Sequence, residues 1–128
     1  MRNKVFIIGL ISLLIITYGI MIIDTNDLMR YARDVFLGII PETETKGKAI
    51  NMYNDLPYFR EKVSKIDLTL KRVFVFHNFF NGYIIVFYSV FMYDNDGGIV
   101  SGSMNIFSTW KIHKENGKWS VIKIIEKP

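Results

Sequence analysis

The chain has no cysteine, which excludes disulfides, thiolate zinc sites and a lipid-modified cysteine, and leaves either face of a bacterial membrane open. It has two histidines, His77 and His113, and neither has a carboxylate at a local offset that a metal triad would need. A Gly-rich phosphate loop, a nucleophile elbow and a paired metal-ligand helix motif are all missing. Asp94, Asp96 and Gly97 have the wrong spacing for a calcium loop, and Asn105 stands where its bidentate Glu would be needed. No metal, no cofactor and no catalytic residue is therefore expected. Concentrated charge of one sign is absent too: Arg2 and Lys4 lie ahead of the first apolar run, and from Asp24 onward 14 Lys+Arg face 12 Asp+Glu. That small, dispersed excess does not make a nucleic-acid footprint.

What is present begins with Val5 to Ile23, 19 uncharged residues of which 13 are Val, Ile, Leu or Phe. As a helix this run is about 28 Å long, close to the hydrocarbon thickness of a bilayer. It exceeds the usual apolar core of a signal peptide, and Ile22-Ile23-Asp24 offers no small-residue cleavage site. Residues 1–24 are expected to be an uncleaved single-span anchor in the cell membrane. Arg2, Lys4 and the terminal amine before the span, with Asp24 and Asp27 after it, place the amino terminus in the cytoplasm and the domain of residues 25–128 outside.

Asp24-Thr25-Asn26-Asp27 supplies helix-capping types, and Leu28, Tyr31, Ala32, Val35, Phe36 and Ile39 then form one apolar helix face. Pro41 bounds that helix, Glu42 to Lys48 reads as a loop, and Ala49 to Ile66 reads as two short helices broken at Pro57. The main body of the domain is the stretch from Lys71 to Glu126, where four apolar, β-branched and aromatic runs are separated by Asn81-Gly82, Asp94-Asn95-Asp96-Gly97-Gly98 and Asn116-Gly117. The expected fold class is α+β: an amino-terminal transmembrane helix, then amphipathic helices packed on a curved four-stranded antiparallel meander.

With Asn81-Gly82 as a two-residue loop, Phe80 faces Tyr83 and Phe76 faces Phe87. One face then carries Val73, Val75, His77, Phe79, Ile84, Val86, Tyr88, Val90 and Met92, and continues through Val100, Met104, Ile106, Trp110 and Ile112. This is the face expected beneath the helices. The opposite face carries Phe74, Phe76, Phe80, Tyr83, Phe87 and Phe91, joined by Phe107. A single helical layer covers one face only, so this second apolar face is the candidate interface, for a protein partner or a second copy of the chain.

The closing segment Trp110-Lys111-Ile112-His113-Lys114-Glu115-Asn116-Gly117-Lys118-Trp119-Ser120-Val121 resembles the final hairpin of nuclear-transport-factor-2-like (cystatin-like) cone domains. Behind one anchor, the layout is also similar to membrane-tethered members of conjugation and secretion machines. The resemblance implies a curved sheet wrapped on helices over residues 26–128, and enzymes of that superfamily place an acid or base inside the cone. Here the inward polar positions are His77 and Tyr88, the candidate ligand-binding residues. Three functions follow: a non-enzymatic membrane-anchored interaction or assembly domain of a cell-envelope or secretion-type complex, a small-ligand binding or sensing cone, and a pocket enzyme using His77 or Tyr88.

Overall fold

The uninterrupted apolar run forms helix α1, Arg2–Asp24, and only Thr25 separates it from α2, Asn26–Phe36. The computed structural model describes residues 2–127. Residues 2–16 of α1 are exposed, and the helix is long and apolar enough to cross a membrane. Helix α2 has Asp27 in its first turn and Arg33 in its last, both favourable to the helix dipole. It ends at Gly38, whose φ of 74° allows the Gly38 amide to reach the Val35 carbonyl and the Ile39 amide to reach that of Asp34. This is a glycine-dependent stop. Ile39, expected on the apolar face, consequently falls beyond the helix and is exposed.

Two features of the connection differ from expectation. Glu42–Thr45 forms one helical turn, α3, where a loop was expected. The stretch from Ala49 to Ile66 forms a 3-10 turn, Ala49–Tyr53, and one α-turn, α4, Leu56–Phe59. The second expected helix does not reach Ile66, because Ile66 already belongs to the sheet.

The sheet is an antiparallel meander in the order β1-β2-β3-β4, with β1 Lys65–His77, β2 Asn81–Tyr93, β3 Ile99–Glu115 and β4 Lys118–Glu126. Strand β1 thus begins six residues before Lys71. A bulge at Val73 explains why its start was hidden: Arg72 pairs with Val86 and Phe74 with Ile85, so the inward positions shift from even numbers (Ile66, Leu68, Leu70, Arg72) to odd ones (Val75, His77). A single alternating register cannot describe both halves. Val73, expected inward, is exposed.

The first hairpin also turns earlier than expected. Phe76 pairs with Tyr83 and His77 with Gly82, so Phe76 does not face Phe87 and Phe80 does not face Tyr83. Asn78 makes the turn instead, its Oδ1 accepting from the amides of Phe80 at 3.0 Å and Asn81 at 2.8 Å, while Phe79 takes the positive φ of 70°. Gly82 is needed for space rather than for φ, since a Cβ there would lie 2.3 Å from the Phe76 carbonyl oxygen and 2.4 Å from His77 Cβ. Phe79, expected inward, is in this turn and partly exposed.

In β3 a second pair of irregularities, around Val100 and at Asn105 with φ 55°, changes the parity again. Ser101 and Ser103 pair with Met92 and Val90, so the inward positions there are serines, and Met104, expected inward, is exposed. From Ile106 onward the expected faces hold. The last hairpin closes through Asn116 and Gly117, with φ of 51° and 76°, as a two-residue turn between Glu115 and Lys118.

One core lies between the inner sheet face and the helices. Leu28, Ala32, Val35 and Phe36 of α2, with Ile50 and Tyr53 of the 3-10 turn, pack on Val75, Ile84, Val86, Tyr88, Trp110, Ile112 and Val121. Phe36 stacks on Tyr53 at 4.3 Å between ring centroids and lies 5.0 Å from Tyr88. Phe36, Tyr53, Tyr88 and Trp110 therefore fill the part of the expected cone around Tyr88, while Leu28, Ile50 and Val121 line an open groove beside it.

Candidate functional site

Polar groups converge where α1 meets the sheet. Asp24, the first charge after the apolar run, accepts from Trp119 Nε1 at 2.8 Å and from Lys114 Nζ at 3.3 Å, and lies 3.9 Å from His77 Nε2. Lys114 also sits over the Trp119 ring at 5.4 Å. On the other side of the helix end, Arg72 donates to Thr25 Oγ1 at 2.9 Å and Asn26 Oδ1 at 2.8 Å. These contacts join the end of α1 to β1, β3 and β4, so no free linker separates the apolar helix from the domain. Burial pushes the Asp24 carboxyl up, but the hydrogen bonds from Trp119 and Lys114 and the Lys114 charge outweigh it and hold it below its ordinary value.

His77 belongs to this joint. It is buried, its Nδ1 accepts from the Phe79 amide at 3.0 Å, and Nε2 therefore carries the proton, directed to the Met21 carbonyl at 3.4 Å. Its ring packs 4.7 Å from Trp119 and 4.8 Å from Phe79. Both ring nitrogens are engaged within the chain.

Tyr88 lies in a separate cluster, six β2 residues or about 20 Å from the His77 partner Gly82. It donates to Glu126 Oε1 at 2.5 Å. Tyr53 donates to the same oxygen at 3.3 Å, shares a 2.8 Å hydrogen bond with Ser108, and accepts from Trp110 Nε1 at 2.9 Å. Burial, partly offset by Ser108 and Trp110, pushes the Tyr53 hydroxyl up to about 12. Burial and the Glu126 hydrogen bond push Tyr88 up as well. The pH consequence has one sign: because the folded state holds these protons more tightly than the unfolded chain, stability present below pH 10 is expected to fall as the pH rises toward about 12. Denaturant midpoints of the full chain in detergent at pH 9 and 11.5 measure this, and a Tyr53→Phe variant should show a shallower decline.

The structure thus places the two candidate ligand residues in two different structural networks. Among the described residues, no group of three or more His, Asp or Glu is arranged to hold a metal ion. An open groove of about 850 Å³ runs between α2, α3 and the β3–β4 turn, lined in part by Asp27, Tyr31, Glu44, Lys48, Lys118 and Trp119, with neither His77 nor Tyr88 in its wall. No local signal marks the joint in the sequence, since Asp24 and Trp119 are 95 residues apart and Asp24 reads there only as a capping type.

The outer sheet face is the larger feature. Phe76 and Phe107 are each 60% exposed and Phe80 68%; Phe74 and Tyr83 are also exposed. Phe87 and Phe91 are half-buried. Phe87 pairs with Phe107 at 4.9 Å, and Phe91 lies over Gly102, whose missing side chain leaves room for the ring. Phe74, Phe76, Tyr83, Phe87 and Phe91 alternate with the buried positions of β1 and β2 and so lie on the outer face, while Phe80 lies in the β1–β2 turn. No family model, no curated protein and no solved structure matches this chain.

Proposed function

We propose that this chain is a membrane-anchored, non-enzymatic interaction domain, in which α1 crosses a bilayer and the outer face of the sheet is the binding surface. One observation carries the reading: an exposed aromatic face stands on a domain that is hydrogen-bonded directly to the end of a helix long enough to span a membrane. The packing of Phe36, Tyr53 and Trp110 around Tyr88 favours surface binding over a ligand held at Tyr88, and the engagement of both His77 nitrogens favours a structural histidine over a catalytic one. Helices on one face of a four-stranded antiparallel sheet are what the cone-domain resemblance implies; from that resemblance we assign the chain to a cell-envelope or secretion-type assembly, and from the charges around α1 we assign the domain to the outside of the cytoplasm.

The test uses the full chain in membranes. It should stay with the membrane through an alkaline carbonate wash, and a photo-reactive benzoylphenylalanine in place of Phe107 should form adducts that the same group at exposed Glu61 does not. Release by alkali, or a Phe107 position that forms no adduct, contradicts the reading.

A further inference from the structure

The contacts of α1 change along its length. Around Met21 to Asn26 they are to inward groups, namely His77, Trp119 and Arg72. One to two turns earlier Tyr18 lies 5.9 Å from Phe74, which belongs to the outer face. Tyr18 also packs against the inner core, so α1 at this point touches both sides of the β1 edge, and residues 2–16 continue beyond it, exposed. A bilayer crossed by Val5–Ile23 then meets the aromatic face at the β1 edge, where Phe74 lies against Tyr18. Tyr18 is five residues inside the end of that run, or about 7–8 Å deep, which is the depth at which interfacial side chains rest at the boundary of headgroups and acyl chains.

The charges of this face agree. Its exposed charged members along the paired strands are Lys65, Lys71, Lys111, Lys118 and Lys123 against the carboxylates of Asp67 and Glu115. Lys111 and Lys123 stand directly opposite each other across β3 and β4, an arrangement of like charges that is unfavourable unless an anion lies over it. Aromatic rings with long lysines are the side chains that sit at a bilayer surface, the rings at headgroup level and the ammonium groups on anionic lipid.

From this geometry we infer that the outer sheet face lies against the surface of an anionic bilayer, with Phe74, Phe76, Phe80 and Phe107 in the headgroup boundary and the helical layer and groove turned away from it. The inference rests on the reading that α1 spans, and it names lipid as the partner of the face described above.

The absence of cysteine makes every introduced thiol unique, so single environment-sensitive labels can be compared in full chains reconstituted into vesicles of phosphatidylcholine and phosphatidylglycerol. Labels at Gly9→Cys in α1, Thr109→Cys on the outer face and Glu44→Cys in the helical layer report three depths. A quencher deep in the acyl chains should quench position 9, and a quencher on the headgroup should quench position 109 but not position 44. Lys111→Gln with Lys123→Gln removes only surface charge and should lower the ratio of seated to lifted domain about fivefold for each lysine. No quenching at position 9 would remove the spanning helix and this inference with it. Quenching at 9 without quenching at 109 would overturn the inference alone, as would a Phe107 photo-adduct joined to a second protein chain and not to lipid. Quenching at 109 that is unchanged by the double lysine variant would overturn the anionic partner.

Discussion

Trp110→Ala is expected to lower the stability of the domain by about 3–5 kcal/mol. The indole is fully buried, packs 5.7 Å from Tyr53, and donates to the Tyr53 hydroxyl inside the core, so the substitution opens a cavity and removes a buried hydrogen bond together. Against a total of about 5–15 kcal/mol for a domain, that is a large fraction. Trp110→Phe keeps most of the volume and loses chiefly the N–H donor, so it should cost nearer 1 kcal/mol. Denaturant midpoints of the full chain in detergent check both. Equal losses for Ala and Phe would assign the effect to the hydrogen-bond network and not to packing.

Asp24→Ala is expected to cost about 2–3 kcal/mol, and it acts at the joint and not in the core. It leaves the Trp119 N–H and the Lys114 ammonium without the acceptor they share, and both side chains are only partly exposed. Asp24→Asn keeps an acceptor for Trp119 but removes the charge that Lys114 faces, so it should fall between wild type and Ala. Because the carboxyl is held below its ordinary value, its stabilisation is present above the unfolded value of about 3.8 and is lost as the pH falls below it. The midpoint of the Ala variant should accordingly be less sensitive to acid than that of wild type. An identical loss with pH in both would show that another group carries the acid response.

The elements legible in the sequence were those marked by local signals. The apolar run gives α1, the heptad-like spacing of Leu28 to Phe36 gives α2, and Asn116-Gly117 gives the last turn with its register. The faces of Phe74 to His77 and of Tyr83 to Met92 are also readable, because the alternation within each run is unbroken, but their pairing across the turn is not. What was not legible depends on the bulges at Val73, Val100 and Asn105. Each adds one residue and exchanges the two faces, so Ile66, Leu68 and Leu70 do not read as strand residues and Met104 reads as inward. Asn81-Gly82 misled for a different reason: Gly82 is small because the His77 backbone and Cβ lie against it, while Asn78 turns the chain. The joint was out of reach, since Arg72 meets Thr25 and Asn26 only after β1 has been laid in its bulged register.

The domain can present one fixed face to the membrane only if it is held rigidly on α1 and not tethered by it. Spin labels at Gly9→Cys, where nothing lies within 4 Å of an added Cβ, and at Glu44→Cys in the helical layer would measure that directly by pulsed dipolar distances in vesicles. A single narrow distance distribution, broadened by Asp24→Ala, is the expected result. A broad distribution in the chain with Asp24 intact would contradict it, because a domain free to tumble on its anchor could not hold one face against the membrane.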